Sequence, residues 1–425
     1  MKQYLDNMTR EEHLNKILEL SDSYKYLMLK LPTSFGKSKV AIEIIKRHYK
    51  DETGFFGYKV LIVIPKLVLI DNWKDELKKW ELPEFISVTF TTYVSLHKHT
   101  EEDWGVIIYD EGHHFTDNCL NVSEYLRTER VIVLSATLSK ESRFRFREAY
   151  SGIREYNVTT KEAIQEGVLP DPKMLLIPML LDNTLINQEF IKNKSKGGEP
   201  IVVPYAQRWS TRGIKTKKVI IRCTEQQYYG LLSETIDWWK NKYMVEREEF
   251  SKNQWLRLCK VRLGWLAERK GEFTKKLLTL LQDFRTLTFC TSIKQTEELG
   301  KNCIHSENED ADDILEAFNK GNIDHITACS MLDEGMNLVN CQIGIFANIG
   351  SSERVECQRL GRILRHDNPL IIIPYYTATR EEEIVKKMMN TYNVNLIYRL
   401  FRSQVTEETL KSIVYAKNDT KEDNN

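Results

Sequence analysis

The chain has 425 residues, of which 41% are hydrophobic and 29% charged, and its 61 Lys+Arg are balanced by 61 Asp+Glu. That length exceeds one comfortable core and predicts two or three domains, while the ordinary composition excludes fibrous and low-complexity classes. Eight cysteines stand apart with no C-x-x-C pair, no apolar run is long enough to span a bilayer, and the opening MKQYLDNMTREE has no apolar signal core; zinc ribbons, disulfide frameworks, membrane insertion and export are therefore not expected, and a reducing cytoplasm is.

In chain order, the first third alternates strand-like and helix-like patterns. YLMLKL (26–31) is a short apolar run. GKSKVAIEIIKRHY reads as a helix with Val40, Ile44 and Ile45 on one side. KVLIVIP (59–65) reads as a buried strand, and LVLIDNWKDELKKW as an amphipathic helix carrying Leu69, Trp73, Leu77 and Trp80. ISVTFTT, GVIIYD and RVIVLSAT follow as strands. Continuous apolar strands alternating with helices predict a parallel sheet covered on both faces. The same grammar returns in RTLTFCTS, HITACS, IGIFANI and PLIIIPYY, so a second α/β domain is expected. Between them, residues 192–276 hold 20 Lys+Arg against 9 Asp+Glu, a net of +11, and five of the eight tryptophans: Trp209, Trp238, Trp239, Trp255 and Trp265. KNKSKGGEP (192–200) reads as a loop, and TEQQYYGLLSETIDWWKNKY and FSKNQWLRLCKVRLGWLAERK as helices. The expected units are an α/β lobe at 1–178, a basic and mainly helical insertion at 179–275, a second α/β lobe at 276–415 and a disordered tail at 416–425.

Two short segments carry chemistry. LKLPTSFGKSK (29–39) nearly spells the phosphate loop G-x-x-x-x-G-K-[ST], with Gly36, Lys37 and Ser38 in place, Leu31 where the first glycine belongs and Ser34 where many ATPases carry another. A lysine for the β/γ-phosphates and a hydroxyl for Mg²⁺ are what such a loop supplies. A serine at position 34 costs about 1 kcal/mol or more if the turn needs φ > 0. VIIYDEGHH (106–114) puts two acids directly after an apolar strand, where they face the same crevice as the loop. In a nucleotide hydrolase Asp110 would hold Mg²⁺ and Glu111 would orient and deprotonate the attacking water. The bland alternatives are a chance G-K-S at a helix start and a solvated turn. The adjacent His113 and His114 lack the spaced ligand set of a metal centre.

In order along the chain, PTSFGKS, VLIVIPKLVLIDNW, FTTYVSL, DEGHH, LSATL (134–138), LTFCTS (287–292), LDEGMNL (332–338) and QRLGRILRH (358–366) resemble the motifs of superfamily 2 helicases of the DExH class. The nearest flavour resembles the UvsW and type I/III restriction-translocase branch, in which bacteriophage enzymes are common. This resemblance implies two RecA-like parallel-sheet lobes in tandem, with ATP and Mg²⁺ between them. It implies that Thr33, Ser34, Gly36, Lys37 and Ser38 bind phosphate, with Ser38 and Asp110 on Mg²⁺ and Glu111 as general base. Arg362 and Arg365 would be arginine fingers from the second lobe, and Gln358 and His113 would bridge the cleft. Ser135 and Thr137 would couple the ATP site to nucleic acid, and Glu334, Gly335 and Asn337 would sense both. Thr91, Thr92 and Tyr93 in one lobe, and Thr291 and Ser292 in the other, would grip strand phosphates. In the insertion, RWSTRGIKTKK (208–218) with Arg212, Lys215, Lys217 and Lys218 is expected to meet DNA, and most tryptophans to pack. The expected activity is an ATP-dependent DNA helicase or translocase acting on single-stranded or branched DNA in the cytoplasm, that of the host if phage-encoded. An RNA helicase and a nucleic-acid binder with weak or no ATPase activity are the alternatives, and the oligomeric state is open.

Overall fold

The computed structural model describes residues 8–49, 58–194, 199–329, 338–350 and 353–416. The first strands are β1 Tyr26–Lys30, β2 Lys59–Ile64, β3 Ser87–Thr92, β4 Asp103–Asp110, β5 Arg127–Ser135 and β6 Arg154–Asn157. Among the described residues they form one parallel sheet in the order β3-β2-β4-β5-β1-β6. Successive side chains on a strand point to opposite faces. Leu27, Leu29, Val60, Ile62, Val106, Ile108 and Ile132 therefore build a core on one face with the helix Lys37–His48. Met28, Leu61, Val63, Ile107, Tyr109, Val131 and Val133 build a second core on the other face with Phe146. Burial on both faces is why these strands are apolar at nearly every position.

The next strands are β7 Lys173–Met179, β8 Gln188–Asn193, β9 Ile201–Pro204 and β10 Val219–Cys223, followed by β11 Thr286–Cys290, β12 Cys303–Ile304, β13 His325–Cys329, β14 Ile343–Phe346, β15 Leu370–Tyr376 and β16 Ile397–Arg399. The second parallel sheet runs β12-β13-β11-β14-β15-β7-β16. Here the structure corrects the expected boundary at 178. Strand β7 pairs with β15 from Lys173↔Leu370 to Met179↔Tyr376, so residues 173–178 belong to the second lobe. Leu175 and Ile177 pack there with Ile372, while Met174 and Leu176 join Ile371 and Ile373 on the opposite face.

The basic middle segment is less purely helical than its pattern suggests. It holds a small sheet in the order β8-β10-β9, with β8 covering part of the expected loop at 192–200. It then runs through the long helices Glu225–Glu246 and Glu249–Leu280. The second helix enters the lobe itself, burying Trp265, Leu266, Phe273 and Leu277. Among the described residues no helix is long and apolar enough to cross a membrane.

Candidate functional site

Strand β1 continues one residue past its last ladder position. The Leu31 N–H donates to the Ser135 carbonyl at 3.0 Å and its side chain is fully buried. The chain is still extended there, so no glycine is required. The sharp bend comes later, at Ser34 (φ 68°) and Gly36 (φ 100°), both left-handed. Gly36 caps the helix Lys37–His48, and a Cβ on it would meet no atom within 4 Å. Open space at a helix N-terminus is where backbone N–H groups and the helix dipole receive an anion.

Ser34 occupies a conformation that costs an L-residue about 1–2 kcal/mol. Its hydroxyl has a partner that glycine would lack: Oγ donates to the Gly361 carbonyl at 2.5 Å, and Arg365 Nε donates to Ser34 Oγ at 3.4 Å. Both partners belong to the second lobe, in and just after the helix Glu353–Ile363. The approach is close, because a Cβ on Gly361 would fall 2.1 Å from Thr33 Cβ. From below, Arg10 Nη2 donates to the Ser34 carbonyl at 3.4 Å and the Val168 carbonyl at 2.9 Å, a brace that the motif pattern does not reveal.

Strand β4 delivers the acids. Lys37 Nζ lies 3.5 Å from Glu111 Oε1. Asp110 accepts from Trp73 Nε1 at 2.9 Å on Oδ2 and from the Glu111 N–H at 3.0 Å on Oδ1. Burial, and then the charge of Glu111, push the Asp110 carboxyl up to about 6. Burial also resists ionisation of Glu111, but Lys37 and His113 outweigh it and draw that carboxyl down to about 2. His113 Nδ1 stands 3.4 Å from Glu111 Oε2 and 3.4 Å from Ser135 Oγ. Ser135 Oγ in turn donates to the Thr137 carbonyl at 2.8 Å. Glu111, His113, Ser135 and Thr137 thus form one polar chain leading away from Lys37. Each Asp110 oxygen carries a single N–H donor and keeps a lone pair free. That donor set, with the Ser38 hydroxyl in the first turn of the helix, suits Mg²⁺ held partly through water.

The remaining expected site residues divide. Gln358 and Arg362 are buried in the second-lobe helix; Arg359, also buried, reaches the Cys290 carbonyl at 3.5 Å. Gly335, Asn337 and Glu334 lie outside the described residues. Thr91 and Tyr93 are buried, and the Tyr93 hydroxyl donates to the Asp110 carbonyl at 2.7 Å. Thr92 accepts the Ser95 N–H at 3.4 Å as a turn cap. Thr291 Oγ1 donates to Gln295 Oε1 at 3.1 Å, while exposed Ser292 caps the helix Ile293–Leu299. Arg212, Lys215 and Lys217 are exposed and Lys218 is half-buried. Trp265 packs as expected, but Trp209 and Trp238 stand in solvent. Motif spacing missed Trp73, which reads as a core residue until the partner of its indole N–H is known.

A cavity of about 630 Å³ opens between the lobes beside this contact, lined by Pro32, Thr137, Thr160, Gly350, Leu360 and Met388 among others.

Residues 269–367 match the family model of the helicase conserved C-terminal domain. The chain is 21% identical over 386 residues to the DNA 3'-5' translocase XPB2 of Sulfurisphaera tokodaii, covering 82% of this chain and 76% of that protein. Its fold is similar to S. cerevisiae Dbp5 bound to RNA and ADP BeF3, with a TM-score of 0.57 at 10% identity over 94% of this chain and 93% of that one. It is also similar to the Pyrococcus furiosus Hef helicase domain, with a TM-score of 0.50 at 13% identity over 89% of this chain and 97% of that one. The two parallel-sheet lobes are those of the RecA-like helicase fold.

Proposed function

We propose that this chain is an ATP-dependent helicase or translocase that converts nucleotide hydrolysis between its lobes into movement on DNA. The observation that carries this reading is the contact of Gly361 and Arg365 with Thr33 and Ser34 across the lobes. It brings an arginine-bearing helix of one lobe to the phosphate loop of the other.

Thr33, Ser34, Gly36 and Lys37 would bind the ATP phosphates. Ser38 and Asp110 would hold Mg²⁺, which neutralises phosphate charge when bound. Glu111 is ionised at neutral pH and has the state a base needs to take a proton from water. Arg362 and Arg365 would meet the charge that develops on the transferring phosphoryl group, a contribution worth ~10³ or more in rate. His113, Ser135 and Thr137 would carry the state of Glu111 toward the nucleic-acid side, with Gln358 answering from the second lobe. Thr92, Thr291, Ser292 and the basic loop at 208–218 supply the strand contacts. Gly335 and Asn337 keep their proposed sensing role from the motif resemblance.

Within superfamily 2 the motif set favours the DExH branch that resembles UvsW and the restriction translocases, with single-stranded or branched DNA as track. The relative named as a DNA translocase supports DNA over RNA.

The test is ATP hydrolysis by wild type and Glu111→Gln with no nucleic acid, single-stranded DNA, duplex DNA and RNA. DNA-stimulated turnover that vanishes in the variant is expected. Stimulation by RNA alone would move the assignment to RNA, and flat low turnover throughout would leave a nucleic-acid binder.

A further inference from the structure

From Pro200 to Thr224 the sequence carries six Lys/Arg residues and no Asp or Glu. Arg222 pairs with Glu189 at 3.5 Å. Among the described residues no carboxylate pairs with Arg208, Arg212, Lys215, Lys217 or Lys218. In the middle of this uncompensated charge stands Trp209, 50% exposed, on the 3₁₀ turn Tyr205–Thr211. The turn is firmly held. Thr211 is buried, its hydroxyl donates to the Arg208 carbonyl at 2.7 Å, and it accepts from Lys192 Nζ at 3.0 Å.

The indole is covered by guanidinium groups. Arg208 lies 4.1 Å from the Tyr205 ring centre and 4.4 Å from that of Trp209, and Arg212 lies 4.3 Å from Trp209. Arg208 is half-buried between two rings, whereas Arg212 is exposed. An exposed cation–π contact is weaker than the stacking of a nucleobase on an aromatic ring. A guanidinium gains further when it meets a phosphate. Exchange of Arg212 for a base on the indole, with Arg212 passing to the adjacent phosphate, is therefore downhill on both counts.

We propose that Trp209 is a stacking platform for an unpaired base of single-stranded DNA, with Arg208 as its fixed backing and Arg212 as the cover that moves to the phosphate. Resting on the DNA-motor reading, this assigns the strand form: paired bases hide their faces in the helical stack, and only an unpaired one can lie on the indole. Lys215, Lys217 and Lys218 supply the non-specific attraction to the backbone.

The experiment compares the affinity of wild type, Trp209→Ala and Trp209→Phe for oligothymidylate, for an abasic strand of equal length and for blunt duplex, without ATP and at one salt concentration. Wild type is expected to prefer oligothymidylate over the abasic strand by about 10-fold. Trp209→Ala loses that preference while keeping its affinity for the abasic strand and the duplex, and Trp209→Phe retains most of it. Equal affinity of Trp209→Ala and wild type for oligothymidylate overturns the platform and leaves the motor reading intact. Equal losses on all substrates also overturn it, because they mark a distorted loop. Wild type that binds no strand at all overturns both.

Discussion

The Ser34 hydroxyl donates to the Gly361 carbonyl at 2.5 Å, joining the loop before the helix Lys37–His48 of one lobe to the arginine-bearing helix of the other. The backbone strain at Ser34, with φ of 68°, is about the size of what one hydrogen bond returns, ~0.5–1.5 kcal/mol. Ser34→Gly is therefore expected to leave the melting temperature nearly unchanged while weakening the lobe contact. Its KM for ATP should rise about fivefold. An unaltered KM would deny this contact a part in nucleotide binding.

Gly361→Ala is expected to be far more severe in function than in stability. The new Cβ would collide with Thr33 at 2.1 Å, where both partners are backbone or short side chain and neither can swing away. The lobes must separate at this point, while each core stays packed. ATP turnover should fall about 100-fold or more, as a misplacement near 1 Å does. Thermal unfolding should shift little.

Tyr93→Phe separates the two readings of the TTY segment. The hydroxyl supports the Asp110 backbone, so its loss should reduce turnover up to about tenfold. Affinity for single-stranded DNA should stay the same. Weakened DNA binding with normal turnover would restore Tyr93 to the strand path.

Lys270 and Glu381 form an ion pair at 2.5 Å with side chains 0% and 2% exposed. Lys270 comes from the long helix Glu249–Leu280, Glu381 from the helix Arg380–Met389, and Glu381 also accepts the Tyr376 N–H at 3.0 Å. Lys270→Met leaves a buried carboxylate without its cation and should cost the second lobe about 3–5 kcal/mol. The double variant Lys270→Met/Glu381→Leu should regain most of it in chemical denaturation. A single variant as stable as wild type would show that the pair contributes nothing.

Lys173 is fully buried and donates to the Val414 and Ala416 carbonyls at 2.6 and 2.8 Å. Burial lowers its pKa from 10.5 to about 8 in the fold. The unfolded chain then holds more protons between those two pH values, so stability attributable to this group rises with pH across that window. Below it the full cost of burying the ammonium is present. Wild type should gain on Lys173→Met by roughly 3 kcal/mol at most between pH 7 and pH 10.5. Parallel pH profiles of the two proteins would refute the shift.

Much of the candidate cleft was legible because its residues are local. Gly36, Lys37 and Ser38 are neighbours at the start of one helix, and Asp110 and Glu111 leave one strand together. The fate of Ser34 was legible only as a doubt. The positive φ it implied is present, but its compensation comes from Gly361, far along the chain. Trp73 and Arg10 were not legible as site residues, since nothing in their own segments shows that Asp110 and Ser34 will lie within reach. The burial of Thr91 and Tyr93 was not legible either, because only the packed sheet fixes which way each side chain at a strand end turns.

By itself the sequence determined most elements of the two lobes and the two-lobed class. Apolar periodicity and loop chemistry are near-neighbour properties, decided by sterics and burial over a few residues. Only the tertiary structure decided that β7 serves the second lobe, that Arg365 meets Ser34 and that Trp209 remains in solvent. Those depend on which distant surfaces win the competition for burial and hydrogen bonds, a free-energy balance that no local window contains.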